Sequence, residues 1–183
     1  KAGDVLLRLD DGDYKLAVDA ARLRVETQDA TIARLARQTL AQRASIEQAV
    51  AQLASAQAEL ARANLAFNRA DSLARTGNAS IATFDQARAD RDRGIAGVAG
   101  ARAGVEAANA AMDVLRAQQT EAESQRRELD TALRRAERDL DFTVIRAPFD
   151  GTVGNRAAQP GQYVQPGTRM MALVPLDGVY IQA

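Results

Sequence analysis

Few residues in this 183-residue chain could make or break bonds, and their spacing argues against it. The densest polar cluster is Leu9 to Tyr14 (LDDGDY), which holds Asp10, Asp11 and Asp13. Carboxylates suit a hard cation, but a calcium loop needs a longer oxygen set ending in a bidentate Glu, and that Glu is missing. The same acids suit a helix start, where side-chain oxygens cap free N–H groups and negative charge meets the positive end of the dipole. Either Asp11 or Asp13 can take that capping role. His and Cys are absent, which removes the commonest zinc ligands and the side chain best suited to proton transfer at neutral pH. Without His or a neighbouring lysine, no serine can be built into a triad. The glycine-bearing stretches GTVGN (151–155) and QPGQYV (159–164) match no phosphate-loop spacing. The chain is therefore expected to be no enzyme and to bind no cofactor or metal.

Charge excludes further classes. Lys+Arg and Asp+Glu each number 24, so no strong field points to nucleic acid or an anionic membrane. Aromatic residues make up 4% of the chain, while Ala, Arg, Gln, Glu, Asp and Leu dominate, the composition of long helices or coiled coil. No apolar run reaches the roughly 20 residues needed to span a bilayer. Opening at Lys1 and closing on the strand-like VYIQA, the chain reads as a fragment of something longer.

Heptads organise the rest. Asp13 to Arg75 contains neither Gly nor Pro, and Ser80 to Asp139 contains no Pro. In the first stretch Val18, Val25, Ile32, Thr39, Ile46, Leu53, Leu60 and Phe67 share one heptad position. Ala21, Gln28, Leu35, Gln42, Ala49, Ala56, Ala63 and Ala70 share the position three residues on. A large seam beside a mostly small one lets two helices approach closely, and a strict period of seven implies a left-handed supercoil. In the second stretch Phe84, Val98, Val105, Met112, Leu133 and Leu140 form one seam, interrupted by Arg91, Gln119 and Arg126. Ala101, Ala108, Leu115, Ala122, Leu129 and Ala136 form the other. Arms of roughly 60 residues at ~1.5 Å each predict a rod near 90 Å.

Between the stretches lies Arg69 to Asp85 (RADSLARTGNASIATFD), read as the tip of an antiparallel hairpin. Gly77 suits a helix C-terminus, Arg75 its last turn, Ser80 the next N-cap and Asp85 the first turn after it. Gly94, Gly97, Gly100 and Gly104 each weaken a helix by about 1 kcal/mol relative to Ala. They are expected to allow close backbone approach to Ala51–Ala63, the alternative being a flexible joint. Glu121, Glu123 and Glu128 with Arg126 and Arg127 read as a solvated face with modest ion pairs.

Strands are expected at both ends. Val5–Leu9 is a short apolar run, and from Phe142 the segments FTVIRAP, DGTVGNR, QPGQYVQPG and TRMMALVP are punctuated by Gly and Pro. Neither half can bury a core alone. The predicted fold is α+β, mostly α: a long antiparallel two-helix coiled-coil hairpin inserted between two halves of a small β domain. The expected divisions are 1–12, 13–139 with the tip near 76–80, 140–176, and 177–183 as the truncated start of a following β-barrel.

With these segments, the chain resembles the membrane fusion proteins, or periplasmic adaptors, of the HlyD type and EmrA-like branch. KAGDVLLRLDDGDY resembles the first half of the family's lipoyl-like domain. Leu140 onward resembles its second half and the start of the next barrel, most specifically at APFDG (147–151) and GQYV…PGT (161–168). The resemblance implies a periplasmic subunit of a tripartite multidrug efflux pump, anchored to the inner membrane by an N-terminal segment not in this chain. It implies homo-oligomerisation as a hexamer or trimer, an inner-membrane transporter of the major facilitator type, and a TolC-like outer-membrane channel met by the hairpin tip. Members that dock on such channels carry Arg, Leu and Ser at the spacing of Arg69, Leu73 and Ser80 here. The plain alternative makes Arg69 a solvated charge, Leu73 a seam residue and Ser80 only a cap. True lipoyl carriers present a modified lysine on a hairpin turn, and Lys1 and Lys15, the only lysines, do not stand there. Type I protein or peptide secretion is the main variant of the reading. A purely structural coiled coil leaves the paired β halves unexplained.

Overall fold

The computed structural model describes residues 1–76, 80–165 and 167–175. Strand β1 (Val5–Arg8) leads into helix α1 (Gly12–Arg75). Helix α2 (Ile81–Asp141) follows, then β2 (Val144–Arg146), β3 (Gly151–Gly154) and β4 (Ala172–Pro175). Two long helices and a few short strands bear out the mostly helical architecture. Gly77 and the stretch 177–183 lie outside the described residues.

The chain divides into two compact units. One is Lys1–Val25 with Glu128–Ala183; the other is Glu26–Arg127. The start of α1, as far as Val25, and the end of α2, from Glu128 on, fall in the same unit as the strands. Within this unit the seam residues Val18, Ala21 and Val25 at the start of α1 are buried.

In that first unit β1 pairs antiparallel with β2, Leu7 opposite Ile145 and Arg8 opposite Val144. A strand that precedes both helices and a strand that follows them therefore share a ribbon. Thr143 joins α2 to it. It is only 2% exposed. Its Oγ1 donates to the Leu140 carbonyl at 2.7 Å, and its own carbonyl accepts the Leu9 N–H at 2.8 Å. A second ribbon pairs β3 with β4, Gly151 opposite Pro175. A Cβ at Gly151 would run into the Val174 carbonyl oxygen, so only glycine fits that rung. Residues 159–165 hold a turn at Pro160–Gly161 and no strand; Gly161 stands at φ 80° and Gly167 at φ 88°, where L side chains are disfavoured.

Asp11 sits at the N-cap position of α1, its carbonyl accepting the Lys15 N–H at 2.9 Å. Its carboxylate instead pairs with Lys15 Nζ at 2.8 Å. The side-chain cap comes from Asp10, which accepts the Gly12 N–H at 3.1 Å. Asp13 is the acid of the first turn, not a cap.

In the second unit the heptad reading holds. Ile32, Leu35, Thr39, Gln42, Ile46, Ala49, Leu53, Ala56, Leu60, Ala63, Phe67 and Ala70 are all buried or half-buried, as are their α2 counterparts from Phe84 to Arg126. The seam's polar members bond across it. Gln28 Nε2 donates to the Ala122 carbonyl and Gln42 Nε2 to the Ala108 carbonyl, each at 2.8 Å. The two glutamines stand two heptads apart on α1, and the two alanines they meet stand two heptads apart on α2. That match sets one antiparallel register. Alanine is needed opposite, because a larger side chain would keep the amide from the backbone. Arg126, read as part of a solvated face, instead reaches across to Asp29 Oδ1 at 2.8 Å.

The glycine expectation needs correction. A Cβ at Gly94 would sit 3.3 Å from Leu60 Cα, so there the backbones do approach closely. At Gly97, Gly100 and Gly104 a Cβ would meet nothing within 4 Å. Those three lie off the seam on the exposed side of α2.

Candidate docking site

The residues singled out by spacing flank the junction of α1 and α2. Arg69 and Leu73 stand one turn apart on the last turns of α1, so they share a face. Arg69 Nε donates to the Leu65 carbonyl at 3.2 Å. This lays the side chain back along the helix and leaves both Nη groups without a partner among the described residues. Leu73 is 48% exposed. It stands on neither of the two heptad seams. Arg75 closes α1 as expected, in the last turn and paired with Asp71 at 2.9 Å.

Ser80 is the N-cap of α2. Its Oγ accepts the Thr83 N–H at 3.2 Å, and its carbonyl accepts the Phe84 N–H at 3.3 Å. Thr83 stands where a capping box would have Glu, and its Oγ1 lies 2.8 Å from Ser80 Oγ. The serine hydroxyl is thus engaged within the start of α2. Asp85 falls one turn too late to face the free N–H groups, and the first turn of α2 holds no acid.

The cap also fixes Ile81, which sequence reasoning missed. This first residue of α2 is 80% exposed. A β-branched apolar side chain held outward directly after an N-cap was the available signal. Leu65 is likewise exposed and shares a shallow recess with Asn68, Arg69 and Ser72. A groove of about 500 Å³ runs beside Ala66, Ala70, Ala82 and Ala87, whose small side chains leave room for an apolar knob.

Next to these residues lie Phe67 and Phe84, the only aromatics of the second unit. Their ring centroids are 5.5 Å apart with planes tilted by 41°, within the range for favourable aromatic pairs. Arg91, which looked like an interruption of the seam, places its guanidinium 4.3 Å from the Phe67 ring centroid. It also pairs with Asp92 at 2.9 Å. Nearby, hydrogen bonding from Gln86 and then Arg93 holds the Asp90 carboxyl below its usual range.

Among the described residues, no group of three or more His, Cys, Asp or Glu is placed to hold a metal ion. No helix is long and apolar enough to cross a membrane. The residues flanking the junction include the Arg69 guanidinium, the exposed aliphatic side chains of Leu65, Leu73 and Ile81, and a groove lined by four alanines together with Thr83, Gln86 and Asp90.

No protein-family model matches the chain. It is 36% identical over 186 residues to the fatty acid resistance protein FarA of Neisseria gonorrhoeae, a match that takes in 100% of this chain and 44% of that protein. It is 32% identical over 183 residues to the colistin resistance protein EmrA of Acinetobacter baumannii, covering 100% of this chain and 52% of that one. A solved structure of the periplasmic adaptor protein EmrA aligns with TM-score 0.48 at 18% identity, over 95% of this chain and 64% of that one. The chain thus spans about half the length of the curated relatives it matches.

Proposed function

The chain is EmrA-like along its whole length, and we propose that it is the helical and basal part of a periplasmic adaptor in a tripartite efflux pump. The relatives are resistance proteins, and the chain is not an enzyme. In this reading the adaptor links an inner-membrane transporter, of the major facilitator type, to a TolC-like outer-membrane channel. It works as a ring of identical copies, a hexamer or trimer. The β1–β2 ribbon, built from strands on both sides of the helices, supports a lipoyl-like base into which the helices are inserted.

One observation carries the docking role: Leu73 and Ile81 hold large apolar side chains in water on either side of the helix junction. Single exposed aliphatic residues are ordinary on a protein surface, and Leu16, Leu23 and Leu40 of α1 are exposed too; the support here is that Leu65, Leu73 and Ile81 are all exposed close to one junction. Fully burying such a side chain gains about 1.5–3 kcal/mol. Given their present exposures, covering both would contribute about 3 kcal/mol, or roughly 100-fold in affinity. Arg69, with its two unpartnered Nη groups, suits a carboxylate or carbonyl on the partner's helix ends.

The test is cross-linking to the outer-membrane channel from a photoreactive residue beside Leu73. Leu73→Glu and Ser80→Arg should each abolish the cross-link while helicity by circular dichroism stays near wild type. Ile81→Glu should weaken it at least tenfold. If Leu73→Glu and Ser80→Arg both leave cross-linking undiminished, the contact lies elsewhere on the chain.

A further inference from the structure

Between the Gln42–Ala108 hydrogen bond and the cluster of Phe67, Phe84 and Arg91, the seam of the second unit is made of aliphatic and small residues. From Ile46 to Ala63 on α1, and from Ala87 to Val105 on α2, no hydrogen bond or ion pair crosses between the helices among the described residues. Alanine and aliphatic contacts are non-directional. They hold the helices together, closely at Gly94 and Leu60, but specify their axial stagger only loosely. The next directional contact is the Phe67, Phe84 and Arg91 cluster.

That cluster is placed to fix the helix ends. Phe67 is two residues before Arg69, and Phe84 is four after Ser80. An aromatic pair prefers a narrow range of tilt and separation, and a guanidinium over a ring face adds a second constraint from the other helix. Arg91 stands one heptad beyond Phe84, on the same seam, so Phe67 is gripped by two successive seam positions of α2. Neither ring is needed for a coiled coil as such, since the equivalent positions elsewhere mostly hold Val, Ile, Leu or Met and none holds an aromatic residue.

We propose that Phe67, Phe84 and Arg91 are positioning residues: a cation–aromatic clamp that sets the stagger and spacing of the two helix ends. In doing so it sets how Arg69, Leu73, Ser80 and Ile81 are presented to a partner. The link to presentation rests on the docking role proposed above; the clamp itself does not.

The test uses the full chain, which contains no cysteine, so introduced thiols label cleanly. Spin labels at Ser72→Cys and Gln86→Cys report the helix ends. Labels at Arg37→Cys and Arg116→Cys report the hairpin between the two glutamine bonds. Arg91→Gln and Phe84→Ala should shift or broaden the 72–86 distance distribution and leave the 37–116 distribution and the helicity unchanged. Both should reduce cross-linking to the channel at least tenfold. Arg91→Lys, which keeps a cation over the ring, should restore both readouts. Asp92→Asn, which removes only the neighbouring ion pair, should change neither.

An unchanged 72–86 distribution in both Arg91→Gln and Phe84→Ala overturns the clamp. A shifted distribution with undiminished cross-linking, where Leu73→Glu still abolishes it, overturns the positioning role. If Leu73→Glu also leaves cross-linking intact, it is the docking role that fails, and the clamp is then judged on distances alone.

Discussion

Four glycines in α2 should respond to alanine with opposite outcomes, and the reason lies in what faces each one. A helix-interior Gly costs about 1 kcal/mol relative to Ala because more backbone freedom is lost on folding. At Gly97, Gly100 and Gly104 a methyl group meets nothing within 4 Å, so substitution should recover that cost in full. Being separated by one turn and exposed, the three should act nearly additively. The triple variant should therefore gain about 3 kcal/mol. For a chain of this size, at about 2–4 °C per kcal/mol, that is a rise in Tm of roughly 6–12 °C. Gly94→Ala gains the same propensity term but presses its Cβ to 3.2 Å from Leu60 Cδ1 and 3.3 Å from Leu60 Cα. The Leu60 side chain can turn away; its Cα moves only if the helices separate. Overpacking of this kind costs about 1–3 kcal/mol, so Gly94→Ala should be neutral or destabilising. Thermal and urea unfolding followed by far-ultraviolet circular dichroism measures both variants. A Gly94→Ala gain equal to that of the other sites would refute the close approach at Leu60. No gain from the triple variant would mean that its positions are occupied by something beyond this chain.

Two further outcomes are expected. In Gln28→Leu/Gln42→Leu, two cross-helix hydrogen bonds worth about 0.5–1.5 kcal/mol each are exchanged for apolar burial, so stability should stay within about 1 kcal/mol of wild type. Register specification should suffer instead, as it does when a polar seam residue is removed from a coiled coil. Labels at 37 and 116 should then give more than one distance, and a single unchanged distance would show that Arg126–Asp29 and the clamp suffice. For Asp90, the carboxyl is held below its usual range, by Gln86 first and Arg93 second. Its contribution is thus fully present above the unfolded value of about 3.9 and is lost as pH falls through the lower folded value. Wild type should show its small advantage in Tm over Asp90→Asn at about pH 5 and above, and the two should converge in stronger acid. A difference that persisted unchanged at about pH 2 would exclude the ionised carboxylate as its source.

Heptad spacing alone identified the seam, because a residue's angular position on a helix is a local property. Every large-and-small pair from Val18 to Ala70 is at least half-buried. The Ser80 cap was legible for the same reason: capping involves only the three or four residues that follow. Contacts between helices were not legible, since heptads allow several registers and give no azimuth for what lies beyond the seam. Arg91 and Arg126 looked like defects in a seam, and only a register that brings Phe67 and Asp29 opposite them makes them contacts. The glycines looked alike in sequence, and the facing backbone distinguished Gly94 from the other three. Leu73 stood out in the sequence through its spacing from Arg69 and Ser80, whereas Ile81 stood out only through its exposure in the fold. Periodicity thus determined which face of each helix is buried. The tertiary fold decided what each buried or exposed side chain meets, because that depends on atoms from distant parts of the chain, whose placement no local pattern encodes.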